Sequence, residues 1–192
     1  MKVMLTSCGI ETETIKEHFL RWLGKSPCDA KALFIPTAAI YADAIAVLPK
    51  CMDDLLKCGF SKENIQVFDL HRNMQIEELQ AFDVVYLCGG STPYLLDRIN
   101  QSGFRDSLLS YINDGGLVIG VSAGSLIFAD NLPGNIGLLD AKMNVHCKSS
   151  NILGKVHFPL VDTIELSDTA AMLITSIPDD VIIVDDAASN ES

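Results

Sequence analysis

The chain has 192 residues, 48% of them hydrophobic and 20% charged, with a formal net charge of −11. This length and composition predict one domain over residues 1–192 with a well-filled core, and the acidic balance without Lys/Arg clusters argues against nucleic acid and anionic membranes as partners. The apolar runs are too short for a membrane span or a secretory signal, so we expect a cytoplasmic protein.

Short apolar segments alternate with amphipathic helical patterns from the N-terminus to the middle of the chain. The predicted strands cover 3–7, 31–36, 65–70, 83–88 and 117–121, and the predicted helices cover 11–23, 43–57, 92–100 and 103–114. After Pro133 the pattern changes to short strands at 142–147, 155–162, 170–175 and 181–184. This order is typical of a three-layer α/β fold, in which helices flank a mostly parallel sheet, with a small antiparallel C-terminal section.

The six cysteines are scattered along the chain. The sequence contains neither a Cys-x-x-Cys pair nor Cys and His residues at zinc-ligand spacing. We therefore predict reduced thiols that serve as small core residues, and no metal site.

The pentapeptide Gly-Val-Ser-Ala-Gly at 120–124 follows an apolar strand and precedes a helical pattern. Gly-x-Ser-x-Gly at such a junction is typical of a nucleophile elbow, a tight turn that lifts the serine hydroxyl clear of the sheet. We therefore predict that Ser122 is a nucleophile and that the Ala123 N–H faces the oxyanion. The alternative is an ordinary tight turn that packs a helix on a sheet.

A serine nucleophile needs a base, and the chain has four histidines. His18 lies within a predicted helix, and His71 lies in a predicted loop. His146 and His157 both follow the serine in the chain, as expected of a hydrolase whose nucleophile lies in mid-sheet. We predict His146 as the base because it closes a strand. His157 is the alternative, although its position inside a strand-like run favours a structural role.

Two further parts of the site come from more distant segments. The turn Gly89-Gly90 ends a neighbouring strand and can offer a second backbone amide to the oxyanion, beside that of Ala123. It matches no phosphate-binding glycine pattern. Asp130 and Asp140 lie between the serine and the histidine. We predict Asp130 as the carboxylate that orients the imidazole, with Asp140 as the alternative.

Three segments together resemble the S51 peptidases, namely Gly-Gly-Ser-Thr at 89–92, the strand and elbow at 117–125, and Gly-Leu-Leu at 137–139 ahead of His146. This family includes α-aspartyl dipeptidase (dipeptidase E) and, more distantly, cyanophycinase. Its fold is that of the class I glutamine amidotransferases, with serine in place of their nucleophilic cysteine. The resemblance runs along most of the chain.

The resemblance implies a nucleophile, a base and an oxyanion hole at the residues already predicted. It adds substrate-binding roles for Ser91 and Thr92, and for Asp168 in the segment 164–170, which looks like the stretch that completes the pocket wall in this family. The segment between serine and histidine is shorter here than in the family's dipeptidase. No residue in it matches the triad Asp of that enzyme.

We therefore predict a serine-type hydrolase of the S51 type that cleaves small peptides through an acyl-enzyme on Ser122, without a metal or organic cofactor. One alternative is a non-catalytic, amidotransferase-like binding module. Another is an amidase or esterase that acts on small acyl substrates. The predicted partner is a small peptide, and the sequence leaves substrate specificity and oligomeric state open, a homodimer included.

Overall fold

A computed structural model of the chain describes residues 1–158, 161–177 and 180–186. The strands are β1 Lys2–Thr6, β2 Ala32–Ile35, β3 Ile65–Val67, β4 Val84–Leu87, β5 Leu117–Val121, β6 Lys142–Cys147, β7 Gly154–Lys155, β8 Thr163–Ser167, β9 Ala170–Ser176 and β10 Asp180–Asp185. The α-helices are α1 Glu13–Leu23, α2 Ala42–Lys57, α3 Ile76–Leu79, α4 Thr92–Gln101, α5 Phe104–Asn113 and α6 Ala123–Leu126. Within the described part of the chain, no helix combines the length and apolarity needed to cross a membrane.

The main sheet has the strand order β3-β2-β4-β5-β1-β9-β10-β7. Its first five strands run parallel to one another, and the last three complete it in antiparallel fashion. β6 and β8 pair in parallel as a separate two-stranded sheet. The predicted mostly parallel sheet with an antiparallel C-terminal section is confirmed.

Helices cover both faces of the main sheet because its parallel strands are apolar on both sides. On one face, Phe19 of α1 and Leu55 of α2 pack with Met4 of β1. On the other, Leu95 of α4 and Phe104 of α5 lie in the cluster that contains Val3 and Leu5 of β1. The fold therefore has the three layers that the alternating pattern predicts.

The segment after β6 differs most from the sequence-based prediction. Of the strand predicted at 155–162, only Lys155 lies in a strand, because β7 is Gly154–Lys155 and residues 156–158 and 161–162 are not in a strand, although the Val156 N–H still donates to the Val181 carbonyl oxygen of β10 at 2.8 Å. Residues 159 and 160 lie outside the described residues. β7 is an edge strand of the main sheet and has β10 as its neighbour. Two elements, α3 and β8, were not predicted at all.

The parallel arrangement brings several strand ends to one edge of the main sheet. The carboxyl ends of β1, β4 and β5 lie side by side there, as expected for a ligand-binding edge of an open α/β sheet. Ser7, directly after β1, connects this edge to the small sheet. Its hydroxyl donates to the carbonyl oxygen of Leu166 in β8 at 3.0 Å and accepts from the N–H of His146 in β6 at 3.2 Å.

A buried carboxylate fixes the segment that follows β1 to helix α2. Asp54 Oδ2 accepts from the Tyr86 hydroxyl at 2.6 Å and from the Ile10 N–H at 3.0 Å. Burial raises the pKa of Asp54, and the two hydrogen bonds offset part of that increase. A carboxyl group whose pKa is higher in the folded than in the unfolded chain stabilises the fold at acid pH. That contribution is lost as the pH rises through the folded-state pKa.

We predict that Asp54→Asn, which keeps an oxygen acceptor but removes the charge, gains stability relative to wild type as the pH rises from about 4, the ordinary Asp pKa. Urea unfolding at several pH values measures the difference. Asp53→Asn is the matched control, since Asp53 is exposed on the same helix and its replacement should change the unfolding free energy by less than about 0.5 kcal/mol. A pH-independent difference for Asp54→Asn would contradict the prediction.

Candidate active site

The turn after β5 holds Ser122 at φ 50° and ψ −109°, a conformation that residues other than glycine rarely adopt. Two glycines permit the close packing that this turn needs. A Cβ on Gly120 would lie 2.4 Å from the Gly124 carbonyl oxygen, and a Cβ on Gly124 would lie 2.3 Å from that of Leu87. Helix α6 begins immediately after the serine, so the turn has the geometry of a nucleophile elbow.

Buried polar groups fix this strained turn to β1. Ser125 Oγ lies 2.8 Å from the carbonyl oxygens of both Thr6 and Gly120, and it accepts from the Thr6 N–H at 3.0 Å. The Ser122 N–H donates to the Thr6 carbonyl oxygen at 2.9 Å. An unusual backbone conformation persists only where its surroundings enforce it, and these hydrogen bonds supply that constraint.

His146 lies in an irregular part of β6. The register between β6 and β8 shifts between Asn144 and Cys147, and His146 itself has φ 58°. Such an irregularity re-aims a side chain relative to the regular strand. The hydrogen bond from the His146 N–H to the buried Ser7 hydroxyl fixes this backbone beside the end of β1.

Ser122, His146 and Asp168 form a continuous hydrogen-bonded row. His146 Nε2 lies 3.0 Å from Ser122 Oγ, and His146 Nδ1 lies 2.8 Å from Asp168 Oδ1. Cys8 Sγ also approaches Nδ1, at 3.6 Å. The nearer, ionised carboxylate is the better acceptor for a proton on Nδ1. With that proton facing Asp168, Nε2 offers its lone pair to the Ser122 hydroxyl.

Asp168 and Cys8 influence each other's ionisation. A hydrogen bond from the Cys8 thiol lowers the pKa of Asp168, burial opposes this decrease, and the hydrogen bond and charge of His146 lower the pKa further. Burial raises the pKa of Cys8 to about 12, and Asp168 contributes to that increase. At neutral pH the site therefore contains a carboxylate and an un-ionised thiol. Because thiolates are the nucleophilic form, Cys8 is a poor nucleophile here.

The turn that presents Asp168 between β8 and β9 is held by the carboxylate of Asp185. Asp185 accepts hydrogen bonds of 2.7 Å from the hydroxyls of Ser150, Ser167 and Thr169. Ser167 and Thr169 flank Asp168 directly. The end of β10 thus fixes both neighbours of the residue that contacts the imidazole.

Backbone amides lie next to the serine hydroxyl. Gly89 packs against Ser122 so closely that a Cβ on Gly89 would lie 3.2 Å from Ser122 Cβ. Among the described residues, the N–H groups of Gly89, Gly90 and Ala123 donate to no acceptor. Free amides beside a nucleophile are what an oxyanion hole requires.

A pocket of about 160 Å³ opens directly on these groups. Ser122, His146, Gly89 and Gly90 are among the described residues that line it. Helix α2 contributes Ala44, Val47, Leu48, Lys50 and Cys51 to the same lining, and these residues are called the α2 wall below.

The structure does not bring Asp130 to the imidazole. Its carboxylate is exposed and accepts from Asn135 Nδ2, and its N–H donates to the Ala141 carbonyl oxygen. Ala141 precedes β6, whereas His146 lies five residues further along it, which is roughly 15 Å of strand. The carboxylate on His146 is Asp168, which the resemblance had placed among the substrate-binding residues. Asp140, the alternative, is also exposed and precedes β6.

The remaining predicted residues lie around or outside the pocket. His157 is exposed and lies outside any strand, rather than within one. The Ser91 hydroxyl caps helix α4 by accepting from the Tyr94 N–H at 3.4 Å, and Thr92 is the first residue of that helix. Neither Ser91 nor Thr92 is among the described residues that line the pocket. The 89–92 turn thus contributes through its glycines.

Strand β8, which ends directly before Asp168, carries a sequence signal for a strand that the prediction missed. Residues 163–167 read Thr-Ile-Glu-Leu-Ser, a strict polar–apolar alternation in which Ile164 and Leu166 are buried. The same alternation occurs in β6, where Met143 is buried between exposed neighbours. Parallel pairing of these two strands places the residues at their ends side by side, which the sequence spacing alone does not indicate.

The side chains of Cys8, His146 and Asp168 also form a set that could hold a metal ion, with their donor atoms within 4.8 Å of one another. Sequence spacing does not reveal this set because its members come from three distant segments. A metal ion bound there would be coordinated by His146 Nδ1, which could then not carry the proton that it donates to Asp168. Metal binding and the hydrogen-bonded row are therefore mutually exclusive states of the same atoms.

Comparison with known proteins identifies relatives of this chain. An uncharacterized peptidase of Listeria innocua is 29% identical over 99 residues, which are 52% of this chain and 47% of that protein. An uncharacterized peptidase of Pasteurella multocida is 25% identical over a stretch of the same length, 48% of that protein. The chain thus matches about half the length of these curated relatives.

Solved structures share the fold. A peptidase from an acI-B1 Actinobacterium superposes with a TM-score of 0.67 at 16% identity, over 96% of this chain and 87% of that one. A Listeria monocytogenes protein provisionally named a peptidase E gives 0.69 at 19% identity, over 96% and 98%. The sequence model of peptidase family S51 matches residues 3–185. The chain therefore belongs to peptidase family S51.

Proposed function

We propose that this S51 peptidase is a serine hydrolase that cleaves small peptides through an acyl-enzyme on Ser122. The observation that carries the proposal is the row of contacts from Ser122 Oγ to His146 Nε2 at 3.0 Å and from His146 Nδ1 to Asp168 Oδ1 at 2.8 Å. Nucleophile, base and orienting group lie in the order and at the distances that serine hydrolysis requires.

In the proposed reaction, Ser122 Oγ attacks the peptide carbonyl carbon while His146 Nε2 takes the hydroxyl proton. The negative charge that develops on the carbonyl oxygen is stabilised by the amides of Ala123 and of Gly89 or Gly90. His146 then gives its proton to the leaving nitrogen, and the C–N bond breaks to leave an ester on Ser122. Water, deprotonated by His146, hydrolyses that ester and restores the enzyme.

Asp168 has the role of orienting group in this proposal, in place of Asp130. Its carboxylate keeps the Nδ1 proton on the side away from the serine and stabilises the imidazolium that forms after proton transfer. The lowered pKa of Asp168 keeps it ionised across the neutral range, which this role requires.

Two observations support a small peptide as substrate. The pocket of about 160 Å³ is below the roughly 300–1,000 Å³ typical of sites for drug-sized ligands, so it suits a single side chain or a short peptide. The curated relatives carry peptidase names. A binding module with an inactive elbow would not need its serine and histidine in contact. The 3.0 Å between Ser122 Oγ and His146 Nε2 therefore supports catalysis.

Steady-state assays with three substrate classes test the proposal and separate it from the amidase or esterase alternative. We expect unblocked dipeptides to be hydrolysed with a higher kcat/KM than N-blocked peptides, and p-nitrophenyl esters to give a burst as the acyl-enzyme accumulates. Ester hydrolysis without any dipeptide cleavage would favour the esterase alternative. No turnover of any class by the folded protein would favour the binding module.

A further inference from the structure

The α2 side of the pocket presents an apolar wall that the proposed reaction steps do not use. Ala44, Val47, Leu48 and Cys51 line the pocket from this helix. Val47 is 49% exposed although it borders a cleft beside the nucleophile. An apolar ligand group placed against these side chains would remove both surfaces from water, which is favourable at about 25 cal/mol per Å² of buried apolar area.

The charge near this wall does not favour an acidic ligand group. Among the described residues that line the pocket, Lys50 is the one lysine or arginine, and its ammonium group forms a salt bridge with Glu11. Burial lowers the pKa of Lys50, but the hydrogen bond and charge of Glu11 raise it overall, so the ion pair is retained. A carboxylate entering this pocket would lose water without gaining a free cation.

The reaction geometry determines which part of a substrate meets the α2 wall. The leaving nitrogen has to lie against His146 Nε2, because that atom returns the proton. The carbonyl oxygen has to face the amides of Ala123 and the Gly89-Gly90 turn. Once His146, Ser122 and the Gly89-Gly90 turn are engaged in this way, most of the remaining pocket lining among the described residues belongs to α2, so the acyl side of the substrate is left to contact it.

We infer that Ala44, Val47, Leu48 and Cys51 form an acyl-side pocket that selects an apolar side chain of about leucine size on the residue whose carbonyl Ser122 attacks. This inference rests on the proposed function, since it deepens the same site. The apolar side chain inferred here differs from the acidic residue after which α-aspartyl dipeptidase is named. The Glu11–Lys50 ion pair then contributes to specificity, because the Lys50 ammonium group is already paired and is not free to bind an acidic side chain of the substrate.

Binding to the Ser122→Ala variant tests the pocket without requiring turnover. Calorimetry with the dipeptides Leu-Ala, Asn-Ala and Asp-Ala compares near-isosteric apolar, polar and charged acyl residues. We expect Leu-Ala to bind at least about 10-fold more tightly than Asp-Ala, with Asn-Ala between them. Equal or tighter binding of Asp-Ala, or no binding of Leu-Ala by the folded variant, would overturn the inference whatever the result of the hydrolysis assays.

A matched pair of substitutions on α2 then tests the location of the pocket. Val47→Lys should weaken Leu-Ala binding by at least about 10-fold and strengthen that of Asp-Ala, because it replaces an apolar wall residue with a free cation. Ile45→Lys is the control, since Ile45 is similarly exposed at 52% on the same helix but does not line the pocket. If the two variants bind the dipeptides alike, the α2 wall is not the acyl-side pocket.

Discussion

Ser122→Ala is expected to lower kcat for peptide hydrolysis by roughly 10⁶-fold, because members of a serine triad act as one unit and the hydroxyl is the group that forms the acyl-enzyme. His146→Ala should cause a loss of similar size. The double variant should be no slower than either single variant, since each change alone already removes the nucleophilic pathway. Single-turnover and steady-state assays with the best dipeptide measure all three.

The double variant makes this prediction specific to a catalytic pair. If Ser122 and His146 acted independently, for example as two separate binding residues, their effects would add. Thermal unfolding serves as the folding control, because Ser122 contributes only its backbone N–H to the hydrogen bonds with β1. A loss of less than about 10-fold for folded Ser122→Ala would contradict the proposed nucleophile.

Asp168→Asn is expected to lower kcat by roughly 10³- to 10⁴-fold with a small effect on KM. An Asn amide can donate to His146 Nδ1, which favours the imidazole tautomer that carries its proton on Nε2. In that tautomer Nε2 has no lone pair with which to accept the Ser122 proton. The upper end of the range applies to a buried carboxylate. Asp168 is 59% exposed, so solvent reduces the effect of its charge.

Asp130→Asn is the matched control for this substitution. Asp130 is an exposed carboxylate whose partner is Asn135 rather than the imidazole. We expect its replacement to leave kcat and KM within about two-fold of wild type, as is usual for exposed residues without special contacts. The opposite ranking, with a large loss for Asp130→Asn and none for Asp168→Asn, would show that Asp168 is not the orienting group.

The parallel half of the fold could be predicted from the sequence because its information is local. Each strand is a short apolar run between helical patterns, and the order of these units implies a parallel sheet covered on both faces. The elbow was equally accessible, since Gly120 and Gly124 belong to one contiguous pentapeptide. Gly120 packs closely against the backbone of Gly124, and Gly124 against that of Leu87, which is the physical reason for glycine at both positions.

The carboxylate could not be predicted in the same way because it depends on contacts between distant segments. His146 meets Asp168 only because β6 pairs with β8 and because the β6 register shifts just before its end. A search limited to the chain between serine and histidine could therefore find only Asp130 and Asp140. The left-handed backbone of His146 gives no sequence signal, since it arises from that irregular pairing and from the bond to Ser7.

The contact between Cys8 and Asp168 is likewise invisible in the sequence, where Cys8 is one of six scattered cysteines. Only the fold shows that the ends of β1 and β8 meet at His146. A thiol with a pKa near 12 donates to the carboxylate without competing as a nucleophile. The proposed site therefore includes a fourth side chain that modifies the orienting group.

The proposed function requires that one hydroxyl in this protein, that of Ser122, is activated for nucleophilic attack. Reaction of the folded wild-type chain with a fluorophosphonate, followed by peptide mass mapping, tests it directly. We expect one phosphonyl adduct, located on Ser122 and absent from both Ser122→Ala and His146→Ala. A folded wild-type protein that stays unmodified, or that carries the adduct on another residue, would mean that Ser122 is not the activated nucleophile.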